Sequence, residues 1–206
     1  MDGNNGCSPA GRQRELTVDQ LRAAVSTLES RNGSGFIDIE AEKDLAQVRH
    51  RALLLLEHRS RSRRELDRRL GDLGFPPGVV TDVLDDLERV GLIDDESFAV
   101  EWVRQRHRHR GKSREILDRE LKEKGVAPDI RGRALGQIAE SDERDMALTL
   151  ARKKARTTVA EVPEARADRD RALRRIFGVL ARRGFPQGMS MGLARQALDE
   201  RITELR

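Results

Sequence analysis

One short pattern occurs three times in this chain and constrains its fold more than any other feature. It runs Leu66-x-x-x-Leu70-x-x-x-Gly74-Phe75, then Leu117-x-x-x-Leu121-x-x-x-Gly125-Val126, then Ile176-x-x-x-Leu180-x-x-x-Gly184-Phe185. Gly125 follows Gly74 by 51 residues, and Gly184 follows Gly125 by 59. The register continues past each glycine. Val79, Ile130 and Met189 stand five residues on, Val83, Ala134 and Leu193 nine on, and Leu87, Ile138 and Ala197 thirteen on. Helical spacing inside a period of about 50 residues marks a tandem-repeat protein. Such arrays bind extended partners along a surface, which turns attention from a catalytic pocket to an interface.

Each repeat reads as three helices. In the first, helix one covers roughly 46–58. Ser62, with Glu65 three residues later, forms a capping box for helix two. Gly74 stands where a left-handed cap ends that helix, and the same conformation is expected at Gly125 and Gly184. Pro76 and Pro77 open helix three, where a missing N–H costs nothing, and Gly91 ends it. Asp94 or Asp95 caps the next helix, whose face carries Phe98, Ala99, Trp102 and Val103. Repeat two continues with Ser113 as a cap and Pro128 as a restart. Repeat three opens at Ser141 or Asp142, with Met146, Ala147 and Leu150 as its buried stripe. Its extra length falls between its first two helices, near 157–167, around Pro163. Its helix two resumes near Asp168 and its helix three covers about 187–204.

The expected fold is therefore all-α, with three tandem three-helix repeats in a curved, elongated, solenoid-like array. The repeats occupy 46–94, 95–140 and 141–206. Phe75, Phe185 and Trp102 read as core. Residues 1–45 read as an N-terminal extension, largely disordered and rich in Gly, Asn and Ser near its start. Within it Leu16, Leu21, Val25 and Leu28 could line a short amphipathic helix that Asn32-Gly33-Ser34-Gly35 breaks. Its first residues lack the basic-then-apolar order of a secretory signal. No apolar run is long enough to span a bilayer. Cys7 is the only cysteine, so no internal disulfide forms, consistent with a reducing cytoplasm.

Catalytic chemistry finds no footing. Gly111-Lys112-Ser113 imitates the end of a phosphate-binding loop, but the glycine needed five positions earlier is replaced by Arg106. His107 and His109 are two apart and point to different sides of a helix. No metal set or cofactor motif is present, and Asp85-Asp86 and Asp94-Asp95 read as solvated or capping residues.

Charge is more informative. The chain carries +4 overall, and residues 1–45 carry −3, so the repeats carry +7. Arg104, Arg106, Arg108, Arg110, Lys112 and Arg114 form one basic run around Gly111. Arg152, Lys153, Lys154 and Arg156 form a second, and Arg171, Arg174, Arg175, Arg182 and Arg183 a third. Helix two of repeat one adds Arg59, Arg61, Arg63, Arg64, Arg68 and Arg69. Stacked repeats would align these runs into a basic stripe suited to a phosphate backbone or an acidic protein groove. The scarcity of aromatics argues against base-by-base reading of a single strand.

Three stretches carry a family resemblance. They are Ser62-Arg-Arg-Glu-Leu-Asp-Arg-Arg-Leu with Gly74-Phe75, Gly91-Leu-Ile-Asp-Asp-Glu-Ser-Phe-Ala99, and Arg106…Arg110-Gly111-Lys112-Ser113-Arg114 leading into Leu117…Leu121 and Lys124-Gly125-Val126. On these the chain resembles the bacterial RecX family, modulators of the RecA recombinase, over about 46–200. The resemblance implies a cytoplasmic, non-enzymatic protein without cofactors. It would bind as a monomer in the groove of the RecA filament on single-stranded DNA and restrain its ATPase, strand exchange and growth, in DNA repair and the SOS response. Arg106, Arg110, Gly111, Lys112 and Arg114 match the family's basic segment. Arg104, Arg108, Arg152, Lys153, Lys154, Arg156, Arg174 and Arg175 join them as candidates for contact with the partner or with DNA directly. Helices of this size can also imitate helix-turn-helix units, so a DNA-binding transcriptional or architectural protein is the alternative, with a general scaffold for helical partners the third.

Overall fold

Two serines, an aspartate and two prolines decide where five of the six helices of the first two repeats begin. The computed structural model describes residues 39–206, and the expectations for the extension before Ile39 lie outside them. Among the described residues there are nine α-helices and no strand. The first repeat comprises α1 (Ile39–His58), α2 (Arg63–Gly71) and α3 (Pro77–Arg89). The second comprises α4 (Asp95–Arg110), α5 (Arg114–Glu123) and α6 (Pro128–Leu135), and the third α7 (Glu140–Thr158), α8 (Arg166–Arg182) and α9 (Gln187–Glu204).

Ser62 and Ser113 accept the N–H groups of Glu65 and Ile116 at 3.2 and 3.3 Å. Asp94 accepts those of Glu96 and Ser97 at 2.9 and 3.1 Å. Pro77 and Pro128 occupy first-turn positions in which no N–H is missed.

Several local expectations are corrected. Helix one of the first repeat begins at Ile39, seven residues before 46. The box at Ser62 closes on one side only, because the Glu65 carboxylate is drawn to cations and does not return to the Ser62 N–H. Helix α7 is capped by neither Ser141 nor Asp142. Both lie inside its first turn, where Glu140, Asp142 and Glu143 face the positive end of the helix dipole.

The extra length of repeat three is larger than the glycine spacing shows. Gly184 lies 44 residues past Glu140, the first residue of α7, whereas Gly125 lies 30 past Asp95, the first of α4. A shortened third helix in repeat two hides the difference: α6 has 8 residues where α3 has 13. Part of the insertion is helix. The residue of repeat three that matches Arg114 is Leu173, yet α8 starts at Arg166.

Each repeat closes its own core. Val48, Leu66, Leu70, Val83 and Leu87 pack in the first, and Val103, Leu117, Leu121 and Ile138 in the second. Ala151, Ile176, Leu180, Phe185 and Leu198 pack in the third. No buried apolar cluster spans two repeats among the described residues. The seams between repeats are polar. The Ser62 hydroxyl donates to the Lys124 carbonyl at 2.6 Å, and the Arg63 N–H to Asp95 at 2.9 Å. One repeat on, the Ser113 N–H donates to the Arg183 carbonyl at 3.0 Å, and the Arg114 N–H to Glu143 at 2.8 Å. In both seams the N-terminus of a second helix meets the glycine turn that ends the next second helix. Helices α2, α5 and α8 therefore run head to tail, positive dipole end against negative.

This seam explains Gly125. Its φ is +78°, and a Cβ there would lie 2.5 Å from the Cβ of Arg64 in the preceding repeat. At Gly74, with φ +85°, a Cβ would meet nothing within 4 Å. Gly125→Val is expected to destabilise by more than about 2 kcal/mol, combining backbone strain with the clash, and Gly74→Ala by about 1 kcal/mol from strain alone. Urea denaturation of both variants measures the difference. Equal losses would show that the seam does not constrain Gly125.

Candidate partner-binding surface

The basic residues that look alike in the sequence divide into three groups in the structure. The first group is built into the packing. Arg106 lies 4.1 Å from the ring centre of Trp102 and 3.3 Å from Glu120, and Lys112 is 3.9 Å from the same carboxylate. Glu120 also accepts the Trp102 indole N–H at 3.0 Å, and Lys124 approaches the ring at 4.9 Å. Trp102 is thus a half-buried hub held by two cations and one carboxylate. Gly111 is buried with φ +55°, and a Cβ on it would meet Leu150 of α7 at 2.9 Å and the Arg183 guanidinium at 2.6 Å. Arg114 spends its N–H on Glu143 and reaches the Ile138 carbonyl at 3.4 Å. His107 is buried and donates from Nδ1 to the Lys112 carbonyl at 3.0 Å, since a carbonyl can only accept.

The second group is exposed but paired. Arg104 makes a two-pronged bond to Glu101 at 2.7 and 2.6 Å. Arg152 does the same to Glu200 at 2.7 and 2.9 Å. Hydrogen bonds from Arg152 and then from Gln196 hold the Glu200 carboxyl at about 2. Arg156 lies 3.6 Å from Glu204. Helix α9 therefore answers the basic run of α7 with acids.

The third group is Arg108, Arg110, Lys153, Arg174 and Arg175, all exposed and without an ion pair among the described residues. Lys154, half-buried, also has none. The turn after α4 is carried to the end of α8 by the Arg183 guanidinium, which donates to the Arg110 carbonyl at 2.5 Å. Among the described residues no hydrogen bond or ion pair joins Arg174 or Arg175 to that turn.

A polar lock supports the first seam, and reading the sequence for caps misses it. Glu65, whose side chain is 3% exposed, binds Arg61 at 2.9 Å and Lys124 of the next repeat at 3.0 Å, and pairs with Arg59. Burial opposes its ionisation, but the hydrogen bonds from Arg59 and Lys124, and their charges, outweigh that and bring its carboxyl from 4.5 down to about 2. Asp95 goes the other way. Burial raises its carboxyl, opposed by the Arg63 N–H. The signal for the lock lay in the pairs Ser62/Ser113 and Lys124/Arg183, which occupy matching repeat positions.

Beside Trp102 a groove of about 760 Å³ runs between α1 and α4 over Leu53, Leu56, Leu92 and Phe98. Among the described residues no helix is long and apolar enough to cross a membrane.

Comparison with known proteins agrees with this architecture. The pattern of the RecX first three-helix domain matches residues 49–87, and that of the RecX second three-helix domain matches residues 94–135. The regulatory protein RecX of Corynebacterium efficiens is 54% identical over 200 residues, covering 95% of this chain and 95% of that one. The chain belongs to the RecX family. The RecX protein of Mycobacterium avium (strain 104) is 45% identical over 144 residues, covering 70% of this chain and 80% of its own. A crystal structure of RecX from Lactobacillus salivarius superposes with a TM-score of 0.64 over 77% of this chain and 99% of that one. At 23% identity it speaks for the RecX fold alone. The tandem three-helix plan read from the glycine repeat is the RecX plan.

Glu65→Gln is expected to cost about 2–4 kcal/mol near neutral pH, because it leaves buried Arg61 short of its counter-charge. A carboxyl held low stabilises fully above its unfolded value, and the contribution fades as pH falls through the folded one. The stability gap between wild type and variant should therefore shrink as pH falls from about 4.5 towards about 2. Denaturation at several pH values tests this, and a gap independent of pH would remove Glu65 from the lock.

Proposed function

We propose that this chain is a non-enzymatic regulator of RecA that binds along the RecA filament on single-stranded DNA and restrains its ATPase, strand exchange and extension. RecX-family membership supports the target. The observation that carries the mode of action is the head-to-tail run of α2, α5 and α8, which holds three separate repeats in sequence. An array of that kind can engage successive subunits of a filament. Arg108, Arg110, Lys153, Arg174 and Arg175 are the contact cations this reading favours, since none of them has an ion pair among the described residues. Arg106, Gly111, Lys112 and Arg114 would act indirectly, by shaping the turn that presents Arg108 and Arg110.

The helix-turn-helix alternative is less well supported. A recognition helix offers its N-terminal residues to base edges. The N-termini of α2 and α5 are spent on the seams, at Ser62-Arg63 and Ser113-Arg114.

Rising amounts of the protein should suppress ATP hydrolysis by RecA on single-stranded DNA below one chain per RecA subunit. Unchanged hydrolysis at equal molar amounts would defeat the proposal. Its grip on the filament should also outlast its grip on bare duplex DNA as salt rises. Bare-DNA binding rests on counterion release, whereas filament binding adds shape fit and apolar contact.

The division of the arginines gives a sharper comparison. The double variant Arg108→Ala/Arg110→Ala should weaken filament binding by about tenfold, as two charged contacts of moderate strength would. Arg104→Ala/Arg152→Ala should change it by less than about twofold, since those charges are already paired. Equal losses in titrations of both folded variants would show that net charge alone governs binding.

A further inference from the structure

The chain has three second-helix glycine turns, and among the described residues only two are filled. The turn Lys124-Gly125-Val126 receives Ser62 and Arg64 of repeat one. The turn Arg183-Gly184-Phe185 receives Ser113 and Ile116 of repeat two. The third copy, Leu73-Gly74-Phe75, precedes both in the array, and no described residue covers it.

Its composition and exposure differ from the filled copies in step with that vacancy. Leu73 and Gly74 are exposed where Lys124, Gly125, Arg183 and Gly184 are half-buried. Phe75 is half-buried where Val126 and Phe185 are buried. A Cβ at Gly74 would meet nothing within 4 Å, whereas at Gly125 and Gly184 it would strike the preceding repeat. At the position of Lys124 and Arg183 stands Leu73, 51% exposed. A cation in that place reaches back to the preceding repeat, to Glu65 in one seam and to the Arg110 carbonyl in the other. A leucine in that place offers hydrocarbon instead.

We propose that the Leu73–Phe75 turn is an outward-facing docking edge that receives the N-terminal end of an α-helix from a RecA subunit. The partner class rests on the function proposed above, and the kind of element rests on the two filled seams. In each of those a helix N-terminus sits on the turn and donates a hydrogen bond to the carbonyl that precedes the glycine. The Leu73 carbonyl is the corresponding acceptor. The negative end of the α2 dipole favours the positive end of an incoming helix, as inside the chain. Leu73 and the open side of Phe75 would seat an apolar residue of that helix.

A second copy of this chain is a poor occupant. Among the described residues its one unused second-helix N-terminus is that of α8, which begins seven residues earlier than the repeat register requires and is capped by Ala165 without a side-chain hydrogen bond. The end that could extend the array is rebuilt, and the end that could receive a partner is left intact.

The test is Leu73→Lys, which installs the residue repeat two uses, beside Leu73→Met, which keeps an apolar side chain. Three readouts on the full chain are needed: affinity for RecA filaments on single-stranded DNA, melting temperature, and sedimentation of the chain alone over a range of concentrations. Leu73→Lys should weaken filament binding by about tenfold and Leu73→Met by less than about twofold, the melting temperatures and sedimentation being unchanged. Wild-type affinity in Leu73→Lys overturns the docking edge and leaves the proposed function standing. A lower melting temperature in Leu73→Lys means the edge is covered from within the chain, and loss of self-association means it is covered by a second copy. Either outcome overturns the proposal. Failure of the wild-type chain to bind the filament overturns both readings.

Discussion

The meeting of a helix N-terminus with a glycine turn is the contact on which the array depends. It satisfies donors that every helix leaves unpaired in its first turn. At Ser113 and Arg114 two successive backbone N–H groups find a carbonyl and a carboxylate in the next repeat. At Ser62 and Arg63 a hydroxyl and an N–H do the same. A left-handed residue is required to bring the receiving carbonyl to the surface of the turn, and the absence of a side chain lets the neighbour approach. One residue type meets both demands at Gly125 and Gly184, each of which receives the serine-capped helix of the preceding repeat.

The apolar periodicity was legible in the sequence because it is local. Spacings of four along one helix, and the offsets past each glycine, report which side chains share a face, and the cores are built from them. Helix starts at Ser62, Pro77, Asp94, Ser113 and Pro128 were legible for the same reason. The seams were not. Ser62 reads as a cap, but its hydroxyl also serves the Lys124 carbonyl, 62 residues away, and nothing in the serine's neighbourhood announces that. Glu65 reads as half of a capping box until four cations from two repeats, Arg59, Arg61, Arg69 and Lys124, surround it. The lengthened α8 was concealed by a shortened α6, since a period measured between glycines records only the net change.

The basic runs show the same limit from the other side. Arg104 to Arg114 looks uniform as a string, yet Trp102 and Glu120 claim Arg106 and Lys112, Glu101 claims Arg104, and Glu143 claims the backbone of Arg114. Charge counted along the chain measures what is present. Charge left after folding measures what a partner can meet, and here that is a smaller set centred on Arg108, Arg110, Lys153, Arg174 and Arg175.

Three cores joined by polar seams also set how the protein responds to being bent. A seam that shared a hydrophobic core would resist bending through exposed hydrocarbon, whose cost rises with every square ångström uncovered. A seam of hydrogen bonds and ion pairs exchanges its partners for water at a much smaller net cost. Compliance is therefore concentrated at two places, Ser62–Lys124 and Ser113–Arg183, while each repeat stays stiff. Small rotations at two such joints would let the repeats shift against one another while each keeps its own core intact.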